Sequence, residues 1–181
     1  MRPLLLGVLA VVGVLASCTQ VPPRYAPDPP TTERMALAPG TTAGQVIRVV
    51  DGDTVHVQVG GVNVTVRVLG LDTPETVDPR KGVQCWGPEA SANAKRLLSG
   101  RRVTLVADPT QADKDRYGRA LRYIRLGGRD YTLDAVSAGM GRVYTYGRKP
   151  VLEYPELEEA QRQAMAAGRG LWSCPDPKPG D

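Results

Sequence analysis

Phenylalanine is missing from this 181-residue chain, and histidine occurs once, at His56. Without Phe, any core has to be filled by Val, Leu, Ala, Tyr and Trp. A lone histidine argues against paired-histidine ribonuclease chemistry and against zinc sites built on several imidazoles. A Ser-His-Asp relay would have to run through His56. No internal repeat is evident, and the apolar run from Leu4 to Ala16 is too short to span a bilayer. The formal charge is +4, too even a balance to argue for a nucleic-acid partner by itself. Cysteine is scarce, with three in all.

What the chain does have is alternation. In Thr54-Val55-His56-Val57-Gln58-Val59 the odd positions are apolar, and in Val62-Asn63-Val64-Thr65-Val66-Arg67-Val68 the even ones are. Gly60-Gly61 between them is a two-residue hairpin signal. Pairing across that turn sets Val59 against Val62, Val57 against Val64 and Val55 against Val66 on one face. The other face pairs Gln58 with Asn63, His56 with Thr65 and Thr54 with Arg67; there His56 reads as solvent-facing and Arg67 as an ordinary surface arginine. A slip of one residue would oppose every valine to a polar side chain, so the register is well determined. The preceding strand, Gln45 to Val50, agrees if Asp51-Gly52-Asp53 is a three-residue loop with glycine as its permissive residue. Ile47 then faces Val57, and Val49 faces Val55.

This register gathers charge. Asp51 and Asp53 stand at a turn tip beside Arg67. Asp72 and Glu75 follow shortly after and join them only if the chain folds over the sheet end, for which Gly70 and Thr73-Pro74 supply bends. With Asp115-Arg116-Tyr117-Gly118-Arg119, the chain offers carboxylates for a hard metal ion, a spare carboxylate base and two guanidinium groups. Those are the parts needed to cut a phosphodiester. Asp51 and Asp53 alone are an ordinary turn and not an EF-hand, whose further ligands and terminal Glu are missing. Arg116, Arg119, Arg122, Arg125 and Arg129 concentrate around one strand, although singly each reads as solvated surface charge.

Residues 1–17 read as an export signal. Its end, Leu15-Ala16-Ser17-Cys18, resembles the lipobox of bacterial lipoproteins. That resemblance implies cleavage leaving Cys18 as a lipid-bearing N-terminus on the outer face of a bacterial membrane; the alternative is a secreted soluble product. Residues 18–43 read as a Pro-rich tether, 44–174 as one domain, and 175–181 as a tail. With Cys18 taken by lipid, Cys85 and Cys174 are an even pair that favours a disulfide in an exported protein, the alternative being two unrelated thiols. Pro88 to Leu98 reads as a helix, Arg102 to Ala107 and Arg119 to Leu126 as strands. Thr132 reads as the cap of a short helix over Leu133 to Ala138, and a last helix runs from Pro155 to about Ala167. Five short strands with three helices make an α+β pattern, and a small closed barrel is the economical way to bury the valine faces.

Val50 to Val55, Arg67 to Thr76, Gly87 to Ser91, Asp115 to Arg119 and Gly170-Leu171-Trp172 stand in the order and spacing of the thermonuclease (staphylococcal, or micrococcal, nuclease) family. The chain resembles that family from Gln45 to Trp172. The resemblance implies an OB-type five-stranded β-barrel with three α-helices. It also implies a monomeric, Ca²⁺-dependent endonuclease that cuts DNA and RNA, preferably single-stranded or AT-rich, and leaves 3′-phosphate ends. Carried over position by position, it makes Asp53, Asp72 and the main-chain carbonyl of Thr73 the Ca²⁺ ligands, with Asp51 supporting them. Glu75 would hold and deprotonate the attacking water, while Arg67 and Arg119 would grip the phosphate. Tyr117, Tyr144 and Tyr146 match aromatic positions of the nucleotide pocket, and Arg116 a basic position that is normally Lys. Cys85-Trp86 and Gly147 to Leu152 depart from the family pattern without touching the catalytic set. The rival reading is an OB-type module that binds nucleic acid without cutting it, which would not need Arg67, Glu75 and Arg119 as a set. A carbohydrate-binding surface domain is a second rival and predicts no salt-dependent affinity for single-stranded DNA.

Overall fold

The computed structural model describes residues 40–76 and 82–175. Cys18, the signal, the tether before residue 40 and the tail beyond residue 175 lie outside the described residues. In chain order the elements are β1 (Thr41–Val49), β2 (Thr54–Val59), β3 (Val62–Val68), β4 (Leu71–Asp72), α1 (Gly87–Leu98), β5 (Arg102–Val106), β6 (Ala120–Leu126), β7 (Arg129–Asp130), α2 (Tyr131–Ser137), β8 (Arg142–Val143) and α3 (Tyr154–Ala166).

Alternating valines build the β1-β2-β3 meander. All six pairs expected between β2 and β3 are observed, from Thr54 opposite Arg67 to Val59 opposite Val62. The first strand departs from expectation. Val49 faces Val55, but Val46 rather than Ile47 lies opposite Val57, because the register shifts between Val46 and Arg48. Val46 is fully buried, whereas Ile47 is 47% exposed. The cause is that β1 serves two neighbours, pairing with β5 over Thr41 to Gln45 and with β2 from Gln45 onward. A strand that turns from one partner to another bends, and a β-bulge supplies the bend by inserting a residue that pairs with nothing. This strand also begins at Thr41, inside the segment read as tether.

Closure comes from β6. It pairs antiparallel with β5 and parallel with β3, setting Val66 against Ala120 and Arg67 against Leu121. The five strands thereby close in the order β1-β2-β3-β6-β5 into a mixed barrel, an OB-type α+β fold with three helices. Short β4 and β8 pair with each other outside the barrel, and β7 turns back to pair antiparallel with the end of β6.

The core is aliphatic, as a chain without Phe requires. Val46, Val55, Val57 and Val66 meet Ala94 and Leu98 of α1, Ile124 of β6 and Val136 of α2. Full burial of each Val, Leu or Ile contributes about 1.5–3 kcal/mol relative to exposure. Tyr123 and Tyr131 are also buried, and each hydroxyl finds an acceptor: Asp108 at 2.7 Å and the Gly52 carbonyl at 2.6 Å. Burying a phenol without such a partner costs a lost hydrogen bond.

Three further details differ from the sequence reading or complete it. The helix α2 begins earlier than expected, and Asp130 caps it by accepting from the Leu133 N–H at 2.9 Å. Thr132 is instead buried and donates to the Leu69 carbonyl at 2.9 Å. The arginines around β6 are not one free patch: Arg122 pairs with Asp113, Arg125 with Asp130 and Glu153, and Arg129 with Asp134. Cys85 and Cys174 are joined as a disulfide, tying the approach to α1 to the turn that follows α3.

Candidate active site

The β1–β2 turn presents its acids through local hydrogen bonds. The Asp53 N–H donates to Asp51 Oδ1 at 3.0 Å, which shapes the loop. Gly52 does not adopt positive φ, so permissiveness is not why glycine stands there. A Cβ at Gly52 would lie 2.5 Å from the Thr73 side chain. Glycine is needed because the turn and the Thr73 corner touch.

Asp53 is the hub of that contact. It is buried; Oδ2 accepts from the Thr73 N–H at 2.9 Å and the Thr73 hydroxyl at 3.0 Å, and Oδ1 from the Thr54 hydroxyl at 3.0 Å. Arg67 approaches the same Oδ1 at 3.3 Å. The expected fold-over at Gly70 is present. Gly70 has φ +72°, and the chain turns into β4, whose Asp72 lies opposite Arg142 of β8.

Arg67 is only 9% exposed and is not a surface arginine. The turn at Gly70 wraps the chain around its guanidinium, which donates to the carbonyls of Leu71 at 2.5 Å and Val68 at 3.2 Å and to Asp72 Oδ1 at 3.4 Å. The ring of Tyr144 stands 5.4 Å from it, within cation–π range.

The parallel β3–β6 pairing delivers Arg119, the residue just before β6, to the same end of the barrel. Its guanidinium is aimed by Asp115, whose side chain is completely buried. Asp115 accepts from Arg119 Nε at 2.6 Å and from the backbone N–H groups of Tyr117 and Arg119, each at 2.9 Å. Burial pushes the Asp115 carboxyl up, but these N–H donors and the Arg119 charge together outweigh it and hold it below the ordinary 3.8. No role for Asp115 was drawn from the sequence. The available signal was an Asp four residues before an Arg across a Gly turn.

Glu75 is held from both sides. Its N–H donates to Gln84 Oε1 at 2.8 Å, its carbonyl accepts from the Gln84 N–H at 3.0 Å, and its carboxylate accepts from the Thr76 N–H at 2.8 Å. Together, Asp51, Asp53, Asp72, Thr73, Glu75, Arg67 and Arg119 line one polar cavity of about 120 Å³. Burial, and then the neighbouring Asp53 charge, raise the Asp51 carboxyl well above the usual carboxylate range. Among the described residues, no three Asp, Glu, His or Cys side chains converge closely enough to hold a metal ion by themselves.

The other candidate residues surround this cavity without forming its wall. Tyr117 is exposed, with Arg116 at 4.8 Å and Arg119 at 5.4 Å from its ring. The Arg116 N–H donates to the Tyr146 hydroxyl at 3.2 Å. His56, expected to face solvent, is half-buried and shares a 3.1 Å hydrogen bond with Thr65 across the β2–β3 pair.

Known proteins resemble this chain over the same region. The family described as staphylococcal nuclease homologue matches residues 65–174, a span that takes in Arg67, Asp72, Glu75 and Arg119 and begins after the Asp51–Asp53 turn. The thermonuclease of Staphylococcus hyicus is 42% identical over 130 residues, covering 71% of this chain and 75% of that protein. The thermonuclease of Staphylococcus intermedius is 38% identical over 128 residues, 70% and 74% respectively. The SPbeta prophage-derived endonuclease YokF of Bacillus subtilis is 34% identical over 127 residues, which cover 70% of this chain but 42% of that protein.

Proposed function

The chain belongs to the staphylococcal nuclease family, and from that membership we propose that it is a Ca²⁺-dependent endonuclease. It hydrolyses the phosphodiester bonds of DNA and RNA and leaves 3′-phosphate ends. One observation carries this reading: a carboxylate outside the acidic pair, two guanidinium groups and buried aspartates line a single cavity.

Water held by the Glu75 carboxylate gives it a proton and attacks phosphorus; the bond from phosphorus to the 5′-oxygen breaks, that oxygen leaves with the bonding pair and takes a proton from solvent, and phosphate stays on the 3′-oxygen. General-base help of this kind is typically worth ~10²–10⁴-fold. Arg67 and Arg119 donate to the phosphate oxygens as charge grows on them in the transition state. Their donors act strongly because the site is partly closed to water. Buried Arg67 is pre-aligned by the Leu71 and Val68 carbonyls, and Arg119 by Asp115, so little reorganisation is needed at the moment of reaction.

The donors at the acidic end are all oxygens, which suits a hard divalent cation. Asp53, Asp72 and the main-chain carbonyl of Thr73 would hold Ca²⁺, and so few protein ligands leave positions for water and a phosphate oxygen. Such an ion, when bound, offsets the charge of the phosphate. Tyr117, Tyr144, Tyr146 and Arg116 offer stacking faces and charge to the flanking nucleotide. The proposal extends to location: an exported protein carrying lipid on Cys18 and tethered outside a bacterial membrane, a setting in which a disulfide persists.

The test is cleavage of plasmid and of single-stranded DNA with Ca²⁺ or with chelator, followed by analysis of product ends. Cutting is expected with Ca²⁺ alone, with phosphate on the 3′ end. Glu75→Gln should lower turnover ~10²-fold or more with binding of a short oligonucleotide nearly unchanged. Full activity in that variant, or in chelator, refutes the assignment.

A further inference from the structure

Glu75 owes its place to a short segment that lies outside the cavity. Gln84 grips it twice, through its side-chain carbonyl to the Glu75 N–H at 2.8 Å and through its own N–H to the Glu75 carbonyl at 3.0 Å. Gln84 in turn opens a tight turn, closed by the Gly87 N–H donating to the Gln84 carbonyl at 3.0 Å. At the third position of that turn Trp86 sits at φ 69°, ψ 4°, a left-handed conformation that such turns reserve for glycine. A bulky residue held there is strained and persists only where its surroundings enforce it.

The disulfide bears directly on this turn. Cys85 stands between Gln84 and Trp86, is exposed, and is bonded to Cys174. Cys174 is a firm anchor. It is buried, its N–H donates to the Leu171 carbonyl at 3.1 Å, and Leu171 in turn donates to the Gly139 carbonyl at 2.8 Å. The backbones at Gly139 and Gly170 touch so closely that a Cβ on Gly170 would lie 2.1 Å from the Gly139 oxygen. A continuous mechanical path therefore runs from the packed end of α3 through the disulfide to Gln84 and Glu75.

We infer that Gln84 is a positioning residue for Glu75, and that the Cys85–Cys174 disulfide holds Gln84 in place, so that turnover depends on the oxidation state of this bond. The inference rests on the assignment of Glu75 as the base. Opening the disulfide with a dithiol transfers the bond to the reductant and leaves two thiols. The Trp86 turn is then free to relax, and the Gln84 grip loosens while the barrel core is untouched. A displacement of the base by about 1 Å is enough to cost ~10²-fold in rate.

The experiment compares the oxidised full chain with Gln84→Leu, Gln84→Glu and the paired Cys85→Ser, Cys174→Ser variant, each checked for folding by circular dichroism. Gln84→Leu keeps the bulk but removes the acceptor; its kcat should fall at least tenfold with KM within about twofold. Gln84→Glu restores an acceptor and should recover most of that loss. The cysteine-free variant should lose kcat in the same way, and adding Gln84→Leu to it should cost little more, since the two act as one unit. Hydrogen exchange at the Glu75 amide is read in parallel and should quicken in both variants whether or not DNA is cut. Unchanged exchange, or wild-type kcat in Gln84→Leu, overturns the inference. If the cysteine-free chain does not fold, the wild-type chain with its disulfide reduced by dithiothreitol in native buffer takes its place, and unchanged kcat and Glu75 amide exchange there overturn the disulfide's part. An oxidised wild-type chain that does not cut DNA sinks the functional reading instead, with Glu75 amide exchange still reporting on the strut.

Discussion

Replacing Arg67 by Met separates a buried counter-ion from a decorative surface charge. The side chain is 11% exposed and touches Asp53 at 3.3 Å, Asp72 at 3.4 Å and the Leu71 carbonyl at 2.5 Å. Met fills comparable space but removes the Arg67 charge from two buried carboxylates and a donor from the Leu71 and Val68 carbonyls. Breaking a buried pair by removing one partner typically costs about 3–5 kcal/mol. Asp53 keeps its three donors from Thr54 and Thr73, so the lower end applies, about 3 kcal/mol. A solvent-exposed arginine would contribute no more than about 1 kcal/mol. Urea unfolding at pH 7 in chelator, with the disulfide intact, should show the difference. At a slope of roughly 2 kcal/mol per molar, the midpoint falls by about 1.5 M. Repeating the titration in Ca²⁺ adds a second reading. Arg67 beside Asp53 and Asp72 repels a cation, so Ca²⁺ binds the variant more tightly and stabilises it more than wild type, by about 1.4 kcal/mol for each tenfold difference in dissociation constant, and the gap narrows. A loss under 1 kcal/mol in chelator refutes the buried counter-ion. A gap that Ca²⁺ leaves unchanged refutes these two carboxylates as its ligands.

Asp115→Asn keeps the shape of the Arg119 grip but sets an amide N–H₂ or a weaker acceptor against Arg119 Nε; turnover on single-stranded DNA should fall at least tenfold, and wild-type turnover contradicts the positioning role. The same residue bears on acid stability, together with Asp108. Burial raises the Asp108 carboxyl, but donations from the Leu152 N–H, the Thr110 hydroxyl, the Tyr123 hydroxyl and the Thr110 N–H outweigh it and leave it below 3.8. Both groups bind protons less readily folded than unfolded, so their stabilisation is complete above about pH 4 and is lost as pH falls through the depressed folded values. Asp115→Asn should therefore flatten the decline of stability below pH 4, measured by urea unfolding at stepped pH. Cys18→Ala should abolish incorporation of labelled fatty acid in a bacterial host; persistent labelling places the lipid elsewhere or removes it from the account.

Much of the fold could be read from pattern alone where the contacts are local. Val55 and Val66 meet across a two-residue turn, so the valine alternation and Gly60-Gly61 decide their pairing before any distant element arrives. Two helix starts follow from Pro88 and Pro155 for the same reason. Readings failed where a distant partner intervened. Ile47 lost its place opposite Val57 because β1 bends toward β5. Gly52 is required by Thr73 pressing on it, not by its own backbone angle. Arg67, outward by alternation, is buried by the chain that folds back over it at Gly70.

The sequence by itself determined the residue types of the site, the hairpin that carries Arg67 beside Asp53, and the family, because these depend on short-range spacing and order. Only the tertiary structure decided how Arg119 comes to line the same cavity as Arg67, through a parallel pairing between strands far apart in the chain, and how Asp115 and Gln84 orient the groups they touch. Period and turn chemistry act over a few residues. Closure of a barrel, and the burial of charge at its rim, are settled by which surfaces meet once the whole chain has packed.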